Sequence, residues 1–130
     1  MKQLTGEFNI TGWDEHTYSE RDPGKLTRAS VTYDCAGGIA GHGSAEWLMC
    51  YREDTTADFV GLQTIEGTLD GRSGSFVVSS VGTFDGTQAG GQWTVLAGSG
   101  RGGLAGITGD GAFQAPHGSP ASFRLSYELA

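Results

Sequence analysis

The sequence has few prolines, few cysteines and few charged residues, and it contains no long apolar run. Of 130 residues, 3 are proline, 2 are cysteine and 18% are charged. With 23 glycines but no three-residue period, this composition excludes collagen and argues against disorder. No stretch approaches the ~20 apolar residues of a membrane-spanning helix, and the start, MKQLTGEF, lacks a secretion signal. We therefore expect one domain, residues 1–130, in a soluble, cytoplasmic protein without a membrane partner.

Positive charge is also scarce. Eight Lys and Arg residues stand against 15 Asp and Glu, which gives a net charge of −7 at pH 7. This charge repels a phosphate backbone, and no basic stripe with interleaved aromatic residues is present, so we expect no nucleic-acid partner. The three histidines (His16, His42 and His117) lack metal-ligand spacing. The glycine-rich segment at residues 98–111 lacks the Lys-Ser/Thr of a phosphate-binding loop. No G-x-S-x-G motif of a nucleophile elbow occurs in the sequence. The sequence therefore predicts neither a metal site nor a cofactor.

The two cysteines are expected to be free. If Gly37-Gly38 forms a two-residue hairpin turn, Cys35 pairs with Ala40 and Cys50 lies opposite Lys25. The two sulfurs are then roughly 30 Å apart along the hairpin, because a strand rises by about 3.3 Å per residue. We expect two small, half-buried strand residues and no disulfide.

Alternation of apolar and polar residues dominates the chain, and glycine interrupts every candidate helix. The Asp-Gly pairs at 70–71 and 85–86 are typical of type I′ hairpin turns. The pattern predicts eight strands, at about residues 3–12, 25–35, 39–51, 58–69, 72–83, 87–97, 107–115 and 121–129. We also expect an irregular polar segment at 14–24, a short turn of helix at 101–106 and a proline-containing loop at 115–120. An eight-stranded antiparallel β-barrel is favoured because closure removes exposed sheet edges, and a two-sheet sandwich is the alternative.

The two Asp-Gly turns assign the side chains of three strands to faces. Two-residue turns at both pairs place Ile65 opposite Phe76, and Gln63 and Trp93 on either side of Val78. The face that carries these residues alternates bulky side chains with glycine, which is typical of the inside of a small barrel. The opposite face is polar apart from four aliphatic residues, Val60, Leu62, Val77 and Val81. These four have two interpretations, a contact between identical subunits or scattered surface aliphatics.

Other strands are assigned by the same criterion. The first strand is expected to direct Phe8 and Ile10 inwards, and Ile107, Gly109, Gly111 and Phe113 are expected to meet Phe123, Leu125 and Tyr127. On the third strand we expect Ile39, Gly41, Gly43, Ala45, Trp47, Met49 and Tyr51 inside, with His42 and Glu46 outside. A two-residue turn at Gly37-Gly38 then directs Leu26, Arg28, Ser30 and Thr32 inwards, although one bulge would reverse this face.

The predicted barrel interior is the candidate site. A few convergent polar groups in an apolar cup are typical of small-molecule sites. The interior candidates are Arg28, Ser30, Trp47, Met49, Tyr51, Phe59, Gln63, Phe76, Ser80 and Trp93, with Trp13 and Glu15 at the barrel mouth. A buried Arg28 needs a partner, which Asp34, Glu15 or a ligand anion would provide. Alternatively, Arg28 reaches a barrel end and the other polar groups satisfy one another.

Several motifs resemble those of a known family. They are GWDE (12–15), KLTRASV (25–31), LMCYR (48–52), FVGLQTIEGTLDGRSGSFVV (59–78), GTFDG (82–86), WTVLAGSGRGGLAGITGDGAF (93–113) and APHG (115–118). Together they resemble an uncharacterised bacterial domain family of the allene oxide cyclase-like barrel superfamily, nearly end to end. GSGRGGLAGITGDG (98–111) is also similar to the glycine-rich motif of plant allene oxide cyclases and dirigent proteins. The resemblance implies a lipocalin-like, often oligomeric, eight-stranded barrel. The cyclases' active-site residues lie outside the shared motif, so no catalytic residue is carried over.

Three functional hypotheses follow for this chain. The first is a cofactor-independent enzyme that cyclises or isomerises an apolar substrate inside the barrel, which would supply shape and steering charge. The second is a non-catalytic carrier that sequesters a lipophilic small molecule. The third is a structural homo-oligomer with a filled core. The enzyme requires a polar group of shifted pKa near the cavity floor, whereas the carrier requires only an apolar lining and an open mouth.

Overall fold

The protein is an all-β closed barrel, seen in a computed structural model that describes residues 1–116 and 120–129. The strands are β1 (Lys2–Arg21), β2 (Gly24–Gly37), β3 (Ile39–Tyr51), β4 (Ala57–Leu69), β5 (Arg72–Phe84), β6 (Gln88–Val95), β7 (Arg101–Gly102), β8 (Thr108–Pro116) and β9 (Ala121–Glu128). The barrel order is β4-β3-β2-β1-β9-β8-β6-β5, and the β4–β5 pairing closes it. The predicted eight-stranded antiparallel barrel is confirmed, and the sandwich alternative is wrong.

The connection between β6 and β8 closes one barrel end. The short turn of helix expected at 101–106 is wrong, because β7 pairs there with β5 at Gly74 and Ser75 and tight turns follow it. The side chains of Leu104 and Ile107 in this connection are each 1% exposed. In the part of the chain that the structure describes, no helix has the length and apolar character needed to cross a membrane. Part of the loop predicted at 115–120 (residues 117–119, including His117) lies outside the described residues.

Strand β1 is longer than predicted. The irregular segment expected at 14–24 is mostly strand, since β1 continues to Arg21 and pairs with β2 as far as Gly24. Bulges interrupt this pairing between Ile10 and Gly12 and again near Ser19. Phe8 is buried as predicted, but the inward prediction for Ile10 is wrong, because its side chain is 47% exposed next to the first bulge. Bulges also re-aim the side chains that follow them.

The β4–β5 hairpin has the predicted register at every pair, including Ile65 with Phe76. The β5–β6 register differs from the prediction by two residues, because Phe84 pairs with Ala89 across a four-residue loop. Trp93 therefore lies beside Ser80 rather than Val78. A shift of two residues leaves every side chain on its original face. The inward orientation predicted for β4, β5 and β6 is accordingly confirmed.

The β2–β3 register differs from the prediction by one residue. Cys35 pairs with Gly41 rather than Ala40, and Cys50 pairs with Leu26 rather than Lys25. A one-residue shift moves a whole strand to the opposite face. The inward prediction is therefore wrong for Leu26, Arg28, Ser30 and Thr32, and the buried residues of β2 are instead Thr27, Ala29, Val31, Tyr33 and Cys35. Both cysteines are free, with Cys35 buried and Cys50 exposed.

Aromatic rings packed against glycines fill the barrel. A Cβ atom on Gly43 would lie 2.5 Å from the Tyr33 ring, and one on Gly82 would lie 2.7 Å from the Phe59 ring. The prediction that Gly109, Gly111 and Phe113 meet Phe123, Leu125 and Tyr127 is confirmed by the pairing of β8 with β9. Ring centroids lie 4.9–6.3 Å apart across a continuous set of contacts that includes Phe8, Tyr33, Trp47, Phe59, Trp93, Phe113 and Phe123. The centre of the barrel is therefore a packed core.

Candidate functional site

Most of the predicted interior residues lie inside the barrel. Seven of them are at most 6% exposed, namely Trp47, Met49, Phe59, Gln63, Phe76, Ser80 and Trp93. Tyr51 is partly buried at the barrel end opposite the one closed by Leu104. These residues therefore face the barrel interior, as the alternation predicts.

Gln63 is the centre of a buried hydrogen-bond network. Its Nε2 donates to Tyr33 Oη at 2.8 Å, and its Oε1 accepts from Trp93 Nε1 at 3.0 Å and from the Ser80 hydroxyl. Burial raises the pKa of Tyr33, so that its hydroxyl stays protonated. The polar groups of this network therefore satisfy one another, as in the second interpretation of the interior polar residues drawn from the sequence. Tyr33 is not among the interior residues predicted from the sequence, because the predicted β2–β3 register places its side chain on the outer face.

Arg28 and Ser30 lie on the outer surface instead. The Arg28 Nη2 atom is 2.6 Å from Glu46 Oε1, and the Ser30 hydroxyl donates to the same oxygen at 2.9 Å. These hydrogen bonds, that of Ser30 first and that of Arg28 second, lower the pKa of Glu46. The partner of Arg28 is therefore Glu46, which faces outwards as predicted, and not Asp34 or Glu15. The one-residue register shift therefore removes Arg28 and Ser30 from the set of interior candidates.

Glu15 joins three strands at the barrel mouth. Its Oε2 accepts hydrogen bonds from the Thr27 hydroxyl on β2 at 2.6 Å and from the Tyr51 hydroxyl on β3 at 2.9 Å. Its Oε1 accepts from Trp13 Nε1 at 3.0 Å. Trp13 and Glu15 pair with Val31 and Ala29, two buried residues of β2. The predicted pair of mouth residues therefore lies at the barrel end, and the structure adds Thr27 to them.

The electrostatics of this cluster keep Glu15 ionised. Burial alone would raise its pKa, but the hydrogen bonds from Thr27, Tyr51 and Trp13 outweigh burial and lower it. Burial, together with the neighbouring carboxylate, raises the pKa of Tyr51 to about 12. The Lys25 ammonium lies 5.3 Å from the centroid of the Tyr51 ring, a cation–π contact. At neutral pH the mouth thus holds a carboxylate with three donors and a protonated phenol.

Trp47 lies directly beneath this cluster. The ring centroids of Trp13 and Trp47 are 5.9 Å apart, and Trp13 is 50% exposed whereas Trp47 is 6% exposed. The Trp47 Nε1 atom is buried and has no hydrogen-bond partner among the described residues. Few buried donors in folded proteins lack a partner, so this atom calls for an explanation. Sequence patterns give no signal for it, because they show the face of a side chain but not the partner of its N–H.

Other surfaces offer less chemistry. Among residues 1–116 and 120–129, no three His, Cys, Asp or Glu side chains are grouped so as to hold a metal ion. An open groove of about 1100 Å³ runs over β6, β8 and β9. Its lining is mainly glycine and uncharged side chains such as Gln92 and Gln114, together with the charged residues Glu7, Asp85 and Arg124.

Comparison with known proteins identifies a family but no activity. The sequence profile described as "Protein of unknown function (DUF3224)" matches residues 4–127. The fold is similar to the crystal structure of a protein of unknown function from the DUF3224 family of Shewanella oneidensis MR-1, with a TM-score of 0.85 and 23% sequence identity. That similarity covers 100% of this chain and 98% of the other. No functionally curated protein matches the sequence. The chain therefore belongs to the DUF3224 family of proteins of unknown function.

Proposed function

We propose that the protein binds a small lipophilic molecule at the barrel mouth, beneath Trp13 and Glu15, and sequesters it unchanged. The observation that carries this proposal is the buried Trp47 Nε1 atom without a partner. A buried donor left unsatisfied costs about 1–3 kcal/mol, so a ligand that accepts its hydrogen bond recovers that cost on binding. The ligand therefore takes the place of the missing acceptor.

The surroundings of Trp47 define the class of this ligand. Met49 and Phe59 supply an apolar lining, and Trp13 supplies a ring that covers it. After Phe8, β1 pairs only with β2 among the described residues, because its pairing with β9 ends there. Trp13 lies in this singly paired part of β1, so we expect its side chain to move aside more easily than a core residue. The ionised Glu15 disfavours an anionic ligand. A neutral, apolar molecule with a carbonyl group fits these conditions best.

Sequestration is favoured over catalysis by the state of the mouth residues. A general base works best when its pKa lies near the operating pH. The pKa of Glu15 is lowered by its three donors and that of Tyr51 is raised to about 12, so neither group is matched to proton transfer at neutral pH. We infer a relationship to the allene oxide cyclase-like superfamily from the motif at 98–111. Residues 101–107 of that motif pack at the closed end of the barrel, away from Glu15.

The test is a titration followed through the indole N–H signals in ¹H–¹⁵N NMR spectra. The chain has three tryptophans, which Trp13→Phe and Trp47→Phe variants assign. The probes are 4-phenylbutan-2-one and butylbenzene, which share a carbon skeleton and differ in the carbonyl oxygen. We expect the ketone to bind more tightly and to shift the Trp47 signal downfield, while the Trp93 signal, bonded to Gln63, stays in place.

Two variants sharpen this experiment. Trp47→Phe removes the donor and should abolish the preference for the ketone, whereas Arg28→Met, on the outer surface, should leave both affinities unchanged. The proposal is wrong if neither probe moves the Trp47 signal at millimolar concentration. It is equally wrong if the ketone shifts the Trp93 signal instead, because the ligand would then enter the Gln63 network.

A further inference from the structure

Four exposed aliphatic side chains form a continuous area on the outside of the barrel, which we call the aliphatic face. Its members are Leu48 on β3, Val60 and Leu62 on β4, and Val81 on β5, and they are 47–60% exposed. Leu48 pairs with Val60, and Val60 pairs with Val81, so these three form one row across three strands. We propose that a second copy of this chain docks on the aliphatic face to form a homodimer.

The shape of the aliphatic face suits this contact. The pairings of β4 with β3 and with β5 run without a bulge, which leaves a regular sheet surface. The four side chains are each about half exposed and together form an apolar patch on the order of a few hundred Å², the size of the largest patch on a typical monomer, which is often functional. A standard interface buries about 800 Å² per partner, with an apolar centre and a polar rim. The aliphatic face has the size of such a centre, and the serine and threonine side chains around it supply the rim.

Charge determines which partner fits. A chain of net charge −7 repels a second copy in general, but the charges around the aliphatic face are paired within the chain. Arg28 pairs with Glu46 beside Leu48 and Leu62, and Arg52 pairs with Asp58 beside Val60. A strongly charged partner finds no complementary charge there. A second copy presents an equally neutral apolar surface, which satisfies the self-complementarity of a two-fold interface.

The unpaired edge of β1 is less suited to association. It exposes Ile10, Trp13 and Tyr18, but two bulges interrupt it and Asp14 and Glu20 add charge. Bulges and charged residues are the features by which edge strands avoid pairing with other chains. The aliphatic face has neither feature at its centre.

The first test is the molar mass in sedimentation velocity. Wild-type protein should sediment at twice the 13.6 kDa of one chain at micromolar concentration. Val60→Lys should weaken dimerisation at least tenfold, because it places a charge at the centre of the aliphatic face. Thr68→Lys, at an exposed position six residues along the same strand from Leu62, is the matched control and should remain dimeric. Far-UV circular dichroism and thermal unfolding verify that both variants fold.

The second test identifies the face used. Cys50 is exposed and follows Leu48 by two residues on the outer surface, whereas Cys35 is buried, so that a nitroxide label selects Cys50. Because packed sheets lie about 10 Å apart, we expect a distance between the two labels below about 30 Å in pulsed electron paramagnetic resonance. A wild-type protein that is monomeric up to millimolar concentration would refute the proposal. A dimer that persists in Val60→Lys, or labels that lie much further apart, would refute it as well.

Discussion

Replacing Gln63 by leucine tests whether the barrel is filled or hollow. Gln63 is 1% exposed, and its side chain accepts from Ser80 and Trp93 and donates to Tyr33. Leucine has a similar volume but no polar atom, so the substitution leaves the ring packing in place and removes all three hydrogen bonds. In a dry, packed core, no water can replace the missing partner.

The expected loss follows from the groups left without partners. The Ser80 hydroxyl and the Trp93 indole N–H each lose their acceptor, at about 1–3 kcal/mol per buried donor. The free energy of unfolding should therefore fall by about 4 kcal/mol. Ser80→Ala removes only one donor and leaves Gln63 bonded to Trp93 and Tyr33, so it should cost about 1 kcal/mol. The two substitutions share one network, and their effects in the double variant should not add.

Equilibrium unfolding in guanidinium chloride, followed by tryptophan fluorescence and circular dichroism, measures these differences. Gln114→Leu is the matched control, because Gln114 is exposed on the outer face of β8 next to Phe113, and it should change stability by less than about 0.5 kcal/mol. A loss below about 1 kcal/mol for Gln63→Leu would refute the reasoning. Such a result would mean that water enters the barrel and binds the freed groups, as it would in a hollow ligand cavity.

Three further predictions concern stability and reactivity. Glu15→Gln should lower the free energy of unfolding at pH 7 by about 1 kcal/mol, allowing for partial exposure. Because the fold lowers the pKa of Glu15, this contribution is complete above its usual value of 4.5 and is lost as the pH falls, so urea titrations of wild type and variant should converge in acid. Gly61→Ala should lower the free energy of unfolding by more than about 2 kcal/mol, because its Cβ would lie 2.1 Å from a carbonyl oxygen of β3. In Gly71→Ala the added Cβ meets no atom within 4 Å, so only the positive φ of this residue matters and the loss should be about 1 kcal/mol. Equal losses in thermal unfolding would contradict this explanation. Ellman's reagent should titrate Cys50 in the native protein, and Cys35 only after unfolding, because burial raises the pKa of Cys35 to about 11.

Two Asp-Gly pairs of the same composition form different turns. At the first, Asp70 and Gly71 both have positive φ (53° and 74°), as a two-residue type I′ turn requires, and the predicted register holds. At the second, the Asp85 carboxylate accepts hydrogen bonds from the backbone N–H groups of Thr87 and Gln88 and stabilises a four-residue loop. Local side-chain bonds of this kind compete with the tight turn, and the dipeptide alone does not show which one forms.

The effect of a register error depends on whether it is even or odd. The four-residue loop at Asp85 moved β6 by two residues, and Trp93 stayed inside. At Gly37 and Gly38 the chain makes a wider connection in which the Gly38 N–H donates to Thr5 O on β1, and β2 moved by one residue. This bond involves a strand distant in sequence, so the local pattern around the two glycines contains no trace of it. The fold class could be predicted because it depends on alternation, which neither shift alters.

The one-residue shift also reverses the charge expected inside the barrel. With Arg28 inside, the site would hold a cation and would select a ligand with an anionic group. Arg28 is instead paired to Glu46 outside. The ionised group that contacts the partly buried Tyr51 at the barrel end is Glu15, which follows the first bulge of β1. A carboxylate that already accepts three hydrogen bonds repels an anion and offers little to a cation, whereas the unpartnered N–H of Trp47 still requires an acceptor. The ligand inferred from the structure is therefore a neutral acceptor, and a fatty acid that bound more tightly than its methyl ketone analogue would contradict this assignment.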